Sequence, residues 1–239
     1  MLIRPACQED IPQAAAVAVA AYMDDAQDVY MYPNRASYPN LYLKAKSDII
    51  KGSFEDPTAL PIVAVLDETD GDWKGSAEIV GYCIWYREGP DAPQEDSNGP
   101  KSKQPTIKRI LNRIRTYDIV DYLSDLANPI LSASHARAMA KECSDPNSRQ
   151  FEPNYTKPRH YFGVYDIGVD PKFQRRGVAR KLMTWGIEKS KEENLPVFLS
   201  STPAGKPLYL DLGFRTVGTW TWRPKQDLKW DIMQRDATP

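Results

Sequence analysis

One stretch, Asp166 to Phe214, constrains the fold more than any other part of the chain. A short apolar run (Val164, Ile167, Val169) leads into Asp170-Pro171, then into Gln174-Arg175-Arg176-Gly177-Val178-Ala179. From there Val178, Ala179, Leu182, Met183, Gly186 and Ile187 recur with helical period, while Arg180, Lys181, Thr184, Glu188 and Lys189 fall on the opposite face. That spacing predicts a strand, a tight basic turn and an amphipathic helix that buries one side against a sheet. The unpaired N–H groups and positive dipole end of such a helix converge on one spot, and a glycine there lets a ligand approach the backbone. With two adjacent arginines the arrangement suits a pyrophosphate.

Two familiar diphosphate loops do not fit. The sequence has no G-x-x-x-x-G-K-[ST], which excludes a P-loop, and no G-x-G-x-x-G followed by an acidic residue after the next strand, which argues against a dinucleotide fold. Downstream, Pro196-Val197-Phe198-Leu199 reads as a strand and Ser200-Ser201-Thr202-Pro203 as a loop. Leu208-Tyr209-Leu210-Asp211-Leu212-Gly213-Phe214 reads as a short helix with Pro207 near its start and Gly213 as its C-terminal cap. These two segments, in this order, resemble the GNAT superfamily of acyl-CoA-dependent acyltransferases. That family carries a coenzyme A signature Q/R-x-x-G-x-G/A and, after a further strand, L-Y-x-x-x-G-F. The opening Ile3-Arg4-Pro5-Ala6 with Asp10 is similar to the start of many of its members.

The resemblance implies a mixed α/β fold: a mostly antiparallel central sheet flanked by helices and splayed at the acyl-CoA strand. It implies acetyl-CoA as the acyl donor, with the pantetheine arm pairing with main-chain groups of Ile167, Gly168 and Val169. The pyrophosphate would then rest on backbone N–H groups from Arg175 to Ala179, through the Gln174, Gly177 and Val178 turn, with Arg175, Arg176 or Arg180 adding charge and one of the three facing solvent. Tyr209 corresponds to the family's tyrosine that protonates or holds the coenzyme sulfur, and a phenol of pKa ~10 is an apt donor to a thiolate of pKa ~8.5.

The general base stays open. Where the family carries a Glu or His on the coenzyme strand this chain has Tyr165 and Gly163; Gly163 cannot act, and Tyr165 is a poor base unless its pKa is lowered. Asp166 is expected to point to the other face unless a bulge turns it, and an acid within Asp24 to Asp28, or water, is the remaining route. No cysteine is expected near the thioester, which favours direct transfer in a ternary complex.

The 239 residues allow one domain, with a helical insertion expected at 87–159, where a compact member of the family would pass almost directly from its middle hairpin to the coenzyme strand. Within it, Gly89 to Thr106 is polar and proline-rich, and Ile107 to Cys143 reads as two or three helices interrupted at Asn128-Pro129. A net charge of −1 gives no footprint for nucleic acid or a membrane surface, and no apolar run approaches the ~20 residues of a span. Three scattered cysteines fit a reducing compartment, cytosolic or nuclear, and two histidines offer no metal cluster, so no metal cofactor is expected.

At the N-terminal end, Leu2–Ala6 reads as a strand and Ile11–Ala21 as a helix that Asp10 can cap. Tyr22 to Tyr42 is rich in tyrosines and acids and interrupted by Pro33 and Pro39; it is either an acceptor-lining segment or a solvated helix end. Pro61–Leu66 and Ile79–Tyr86 read as strands joined by a loop at Asp67–Gly75, and Thr216–Trp222 as a late strand. Together these readings point to an N-acetyltransferase acting on a small-molecule primary amine. O-acetylation on the same fold and a non-catalytic acyl-CoA-binding module are the alternatives, and acceptor identity and oligomeric state stay open.

Overall fold

The computed structural model describes residues 1–89, 128–145, 148–223 and 228–237. The expected polar stretch from Pro90 and the helices expected before Asn128 lie outside these residues.

In chain order the elements are β1 (Leu2–Pro5), α1 (Ile11–Tyr22), α2 (Ala26–Met31), α3 (Pro39–Ser53), β2 (Ala59–Val65), β3 (Ile79–Glu88) and α4 (Ala133–Ser144). They continue with β4 (Arg149–Phe151), β5 (Tyr161–Val169), α5 (Val178–Glu192), β6 (Val197–Ser201), α6 (Lys206–Asp211), β7 (Arg215–Arg223) and β8 (Leu228–Arg235). The strands form one eight-stranded sheet in the order β1-β2-β3-β5-β6-β8-β7-β4. Every neighbouring pair is antiparallel except β5 and β6.

Each face of the sheet has its own core. On one, Leu182 and Met183 of α5 pack with Cys83, Trp85, Phe162 and Val169. Both α5 side chains are fully enclosed, and burial of this kind stabilises by about 1.5–3 kcal/mol per side chain. On the other face, α1 and Ile50 of α3 cover Val63, Val65, Tyr82 and Ile84.

Several sequence expectations need correction. Asp10 does not cap α1: its carboxylate takes the Cys7 N–H (2.8 Å) and a two-pronged contact from Arg4 (2.6 and 2.8 Å). Arg4 holds the Asp10 carboxyl down to about 2. Pro39 starts a helix rather than breaking one, because a proline at the first helical position has no N–H to lose. Between Arg87 and Arg159 the described part holds a strand, β4, on the sheet edge beside the helix α4.

Gly186 marks the tightest contact between α5 and the sheet. A methyl group there would stand 2.1 Å from Trp85 Cε2, against a fully buried indole. Gly186→Ala is therefore expected to lower stability by about 1–3 kcal/mol, as overpacking does. Urea denaturation checks this, and an unchanged midpoint would mean that α5 is seated differently.

Candidate active site

β5 and β6 pair at two positions, Phe162 with Val197 and Gly163 with Phe198. Beyond them β6 pairs with β8 through Leu199, Ser200 and Ser201, while β5 runs on to Val169 bonded to β3. The sheet is therefore splayed along β5 from Val164 to Val169, as the family resemblance implied. One edge of that strand is left without a strand partner among the described residues, and backbone groups on such an edge seek hydrogen bonds.

A β-bulge sits in the same segment. Ile84 faces Asp166 but the next residue, Trp85, faces Val164, so Tyr165 is the extra residue on β5. One inserted residue reverses the alternation beyond it. Phe162 and Val164 face the α5 core before the bulge, and Ile167 and Val169 face it afterwards. Asp166 is thereby turned to the face covered by α1 and α3, the outcome the sequence allowed only if a bulge were present.

There Asp166 meets a polar cluster. The Tyr22 hydroxyl donates to Asp166 Oδ1 and lies 2.7 Å from the Ile167 carbonyl, and the Tyr82 hydroxyl donates to Oδ2 at 2.7 Å. Burial pushes the Asp166 carboxyl above the usual carboxylate range, against the opposing pull of Lys46 and the two phenols. Burial also raises both phenols well above their ordinary values, so they stay protonated donors.

The other two family positions offer no base. A side chain at Gly163 would collide with the Tyr86 ring at 2.1 Å. Although the Tyr165 side chain is 39% exposed, desolvation of its hydroxyl and then the neighbouring Asp166 push the phenol up, the wrong direction for a group that must lose its proton.

Tyr209 stands on α6 at 6% exposure. Its helix closes as the G-F ending predicts. Gly213 takes φ +84°, the Gly213 N–H donates to the Leu210 carbonyl and the Phe214 N–H to the Tyr209 carbonyl, each at 3.0 Å. The Phe214 ring then packs 5.8 Å from that of Tyr209. Burial is the main cause that raises the Tyr209 phenol, so it keeps its proton. No hydrogen bond engages the Tyr209 hydroxyl among the described residues.

Cys83 corrects a sequence expectation, since it lies beside this site, paired with Ile167 across β3 and β5. It is fully enclosed, and burial pushes its thiol well above the ordinary value, so it keeps its proton.

The basic turn forms as expected. Asp170 caps a short 3-10 turn, Pro171–Phe173, by accepting the Lys172 N–H at 2.8 Å. Arg175 (φ +61°) and Gly177 (φ +81°) both adopt left-handed backbone, and nothing lies within 4 Å of where a Gly177 side chain would project. The Gly177 carbonyl receives its helical bond from Lys181 N–H (3.0 Å), so the N–H groups of Val178, Ala179 and Arg180 have no helical acceptor.

Of the residues expected on the pantetheine, Gly168 is buried against Tyr82, and the Val169 carbonyl accepts the Gln174 side-chain amide at 3.2 Å. The arginines depart from expectation. All three are exposed, and two hold acids: Arg176 pairs with Asp72 of the β2–β3 loop and Arg180 with Asp211 of α6.

Sequence reasoning missed Lys46, and held Asp28 only as one of the acids from Asp24 to Asp28 that could serve as base. Lys46 is 5% exposed on α3, bonded to Asp28 at 2.5 Å with its ammonium 4.3 Å from the Tyr22 ring centroid. The Tyr42 hydroxyl also donates to Asp28. A signal was present, because Tyr42, Lys46, Ile50 and Ser53 share one helical stripe and all are buried. Two of the four are polar, which conceals the stripe from a hydrophobic pattern.

An eight-stranded, mostly antiparallel sheet flanked by helices and splayed beside the N-terminus of α5 is the fold that the resemblance implied. Residues 155–223 match the family model for the Acetyltransferase (GNAT) domain. An acetyltransferase of the mould Stachybotrys chartarum is 23% identical over 220 residues, covering 90% of this chain and 81% of its own length. Among solved structures, arylalkylamine N-acetyltransferase 2 of Aedes aegypti superposes with a TM-score of 0.59 at 11% identity, covering 99% of each chain. The Corynebacterium glutamicum protein named as histone acetyltransferase HPA2 and related acetyltransferase gives 0.58 at 17%, covering 99% of this chain and 97% of its own. The family's domain model falls on β5 to β7, the stretch that holds the splay and the basic turn, and the sheet as a whole has the fold of the superposed acetyltransferase structures.

Gly177 gives the sharpest test of the phosphate turn. Gly177→Glu puts a charged side chain into the open space over the helix N-terminus, and its left-handed backbone costs about 1–2 kcal/mol of stability. Isothermal titration with coenzyme A is expected to show binding abolished in a folded protein. Arg176→Ala should weaken binding by about 1–2 kcal/mol, below the full value of a charged contact because the wild type gives up its Asp72 pair. Unchanged affinity in Gly177→Glu would move the pyrophosphate elsewhere.

Proposed function

We propose that this acetyltransferase moves an acetyl group from acetyl-CoA to the primary amine of a small molecule, by direct transfer in a ternary complex. The observation that carries the reading is the pair of groups at the splay, Tyr209 and Asp166. Tyr209 is buried with no hydrogen bond to its hydroxyl among the described residues, and Asp166 on β5 is a carboxyl raised by burial.

The two have opposite tasks. A primary alkylamine with pKa ~10.4 reaches the site charged and must lose a proton before its nitrogen can attack. A carboxylate made more basic by burial is suited to take that proton, directly or through one water. The neutral nitrogen then adds to the thioester carbonyl. When the C–S bond breaks, the thiolate takes its proton from the Tyr209 hydroxyl, and the proton still carried by the new amide nitrogen leaves it and returns to the Tyr209 phenolate through water.

Ile167, Gly168 and Val169 would pair with the pantetheine along the open edge of β5. Gln174 to Arg180 would hold the pyrophosphate on backbone N–H groups. An amine acceptor is favoured over a hydroxyl because the Asp166 carboxylate, held by the Tyr22 and Tyr82 hydroxyls, attracts a cation. The arylalkylamine acetyltransferase of Aedes aegypti, by its name, takes such an acceptor on the same fold.

Thiol release from acetyl-CoA across a panel of amines, alcohols and peptides tests the proposal. Release with small primary amines is expected. Release with alcohols alone would make the chain an O-acetyltransferase, and coenzyme binding without release would make it a binding module. Tyr209→Phe and Asp166→Asn should each lower kcat by ~10²–10⁴-fold with coenzyme affinity kept, the usual scale for a positioned acid or base. Donors with more acidic thiols should recover activity in Tyr209→Phe and not in Asp166→Asn.

A further inference from the structure

Lys46 and Asp28 are buried, opposite in charge and in contact, yet the reaction outlined above uses neither. Their placement gives them a use. Lys46 comes from α3, Asp28 from α2, Tyr22 from α1 and Tyr82 from β3, and all four converge on the face of β5 to which the Tyr165 bulge turns Asp166. The Lys46 ammonium lies against the face of the Tyr22 ring, 4.3 Å from its centroid, and the hydroxyl of that ring is the one that holds Asp166. A cation on a phenol ring draws electron density from it and strengthens its O–H as a donor. Asp28 fixes the lysine at 2.5 Å, and Tyr42, whose ring centroid is 5.4 Å from the same ammonium, fixes Asp28 through its hydroxyl.

We propose that the Lys46–Asp28 pair positions and charges the acceptor side of this site: Lys46 keeps Asp166 ionised and oriented through Tyr22, and Asp28 holds the lysine while moderating its charge. The proposal rests on Asp166 as the proton acceptor of the transfer.

The charged and titratable groups facing Asp166 act in both directions. Lys46, Tyr22 and Tyr82 favour its ionised form, and burial and Asp28 favour its protonated form. Tyr165 on the same strand, Cys83 on β3 and Tyr209 on α6 also lie in its field and stay protonated, since burial raises all three. Lys46 is the only cation in this set among the described residues, so the two members of the ion pair should shift Asp166 in opposite senses. A purely structural pair would have no such signature.

The sign follows from charge alone. Lys46→Met removes the cation and leaves Asp28, so the Asp166 titration moves to higher pH. Asp28→Asn removes the competing anion and leaves Lys46 to Asp166, so it moves to lower pH. Lys46→Arg keeps the charge and should restore wild-type behaviour.

Each movement should be on the order of one pH unit, as expected for a partner charge in a partly buried site. On the acid limb, where the rate tracks the ionised fraction of Asp166, that is about a tenfold loss of kcat/KM in Lys46→Met and a gain of similar size in Asp28→Asn.

Two readouts on the full chain keep this inference separable from the proton-transfer step. One is carbon-13 NMR of the aspartate carboxyls against pH, with the Asp166 signal assigned by its loss in Asp166→Asn. The other is the pH profile of kcat/KM with acetyl-CoA and an amine that the thiol-release panel has identified. Opposite movements of the Asp166 midpoint in Lys46→Met and Asp28→Asn support the proposal, and a kinetic limb that moves with them supports Asp166 as base as well. Opposite movements with a fixed kinetic limb still support the coupling, and remove Asp166 from the proton step. A midpoint unchanged in both variants, or moved the same way in both, overturns the proposal. If Lys46→Met does not fold, Asp28→Asn and the charge-free double variant Asp28→Asn with Lys46→Met decide it, since the double variant should titrate at higher pH than Asp28→Asn.

Discussion

Two pairs of residues, Phe162 with Val197 and Gly163 with Phe198, join β5 to β6, and then the strands part. The site depends on that short pairing. Had it continued, the backbone of β5 from Val164 to Val169 would be spent on β6 and the sheet would be closed. Because it stops, an edge of β5 is left in the middle of an eight-stranded sheet, where the cores on both faces hold it rigid. The bulge at Tyr165 adds the second half of the arrangement. It lets one short strand send Ile167 and Val169 into the core beneath α5 and Asp166 out toward α1 and α3.

The chemistry depends on how charge is handled on either side of that opening. Burying a carboxylate is costly unless hydrogen bonds and counter-charge surround it. Asp166 has two phenolic donors and lies in the field of Lys46, enough to keep it usable while burial still leaves it more basic than an exposed aspartate. Tyr209 is built oppositely: its backbone is clamped by the Gly213 turn and its ring by Phe214, while its hydroxyl has no hydrogen bond among the described residues. A buried ion pair such as Lys46–Asp28 is weak support for stability, because desolvation offsets most of the attraction. Its place behind Asp166 accounts for it better than a contribution to the core.

Much of this was legible in the sequence, wherever side-chain pattern and backbone demand coincide. The helix from Val178 announces itself through its apolar stripe, the turn before it through Gly177, and α6 through Gly213 followed by Phe214. What stayed hidden depends on contacts between distant segments. The bulge has no glycine to mark it, since Tyr165 is accommodated by register alone. Asp166 could not be assigned a face without it. α3 carries a lysine and a serine on its buried stripe, so its polarity masks its position. Asp10 shows the converse: a residue suited by type and place to cap α1 is drawn off by Arg4 and the Cys7 N–H.

The central claim is that the opening between β5 and β6 is where the thioester lies, with Tyr209 on its sulfur and Asp166 on the acceptor side. A crystal structure with coenzyme A bound tests it most directly. The account predicts the pantetheine extended along Ile167 to Val169, and the pyrophosphate within hydrogen-bond reach of the N–H groups of Val178, Ala179 and Arg180. Arg176 should be released from Asp72, and the sulfur should lie within about 3–4 Å of the Tyr209 hydroxyl, the reach of a proton donor to sulfur. A coenzyme bound outside the opening, or one whose sulfur points away from both Tyr209 and Asp166, would contradict it.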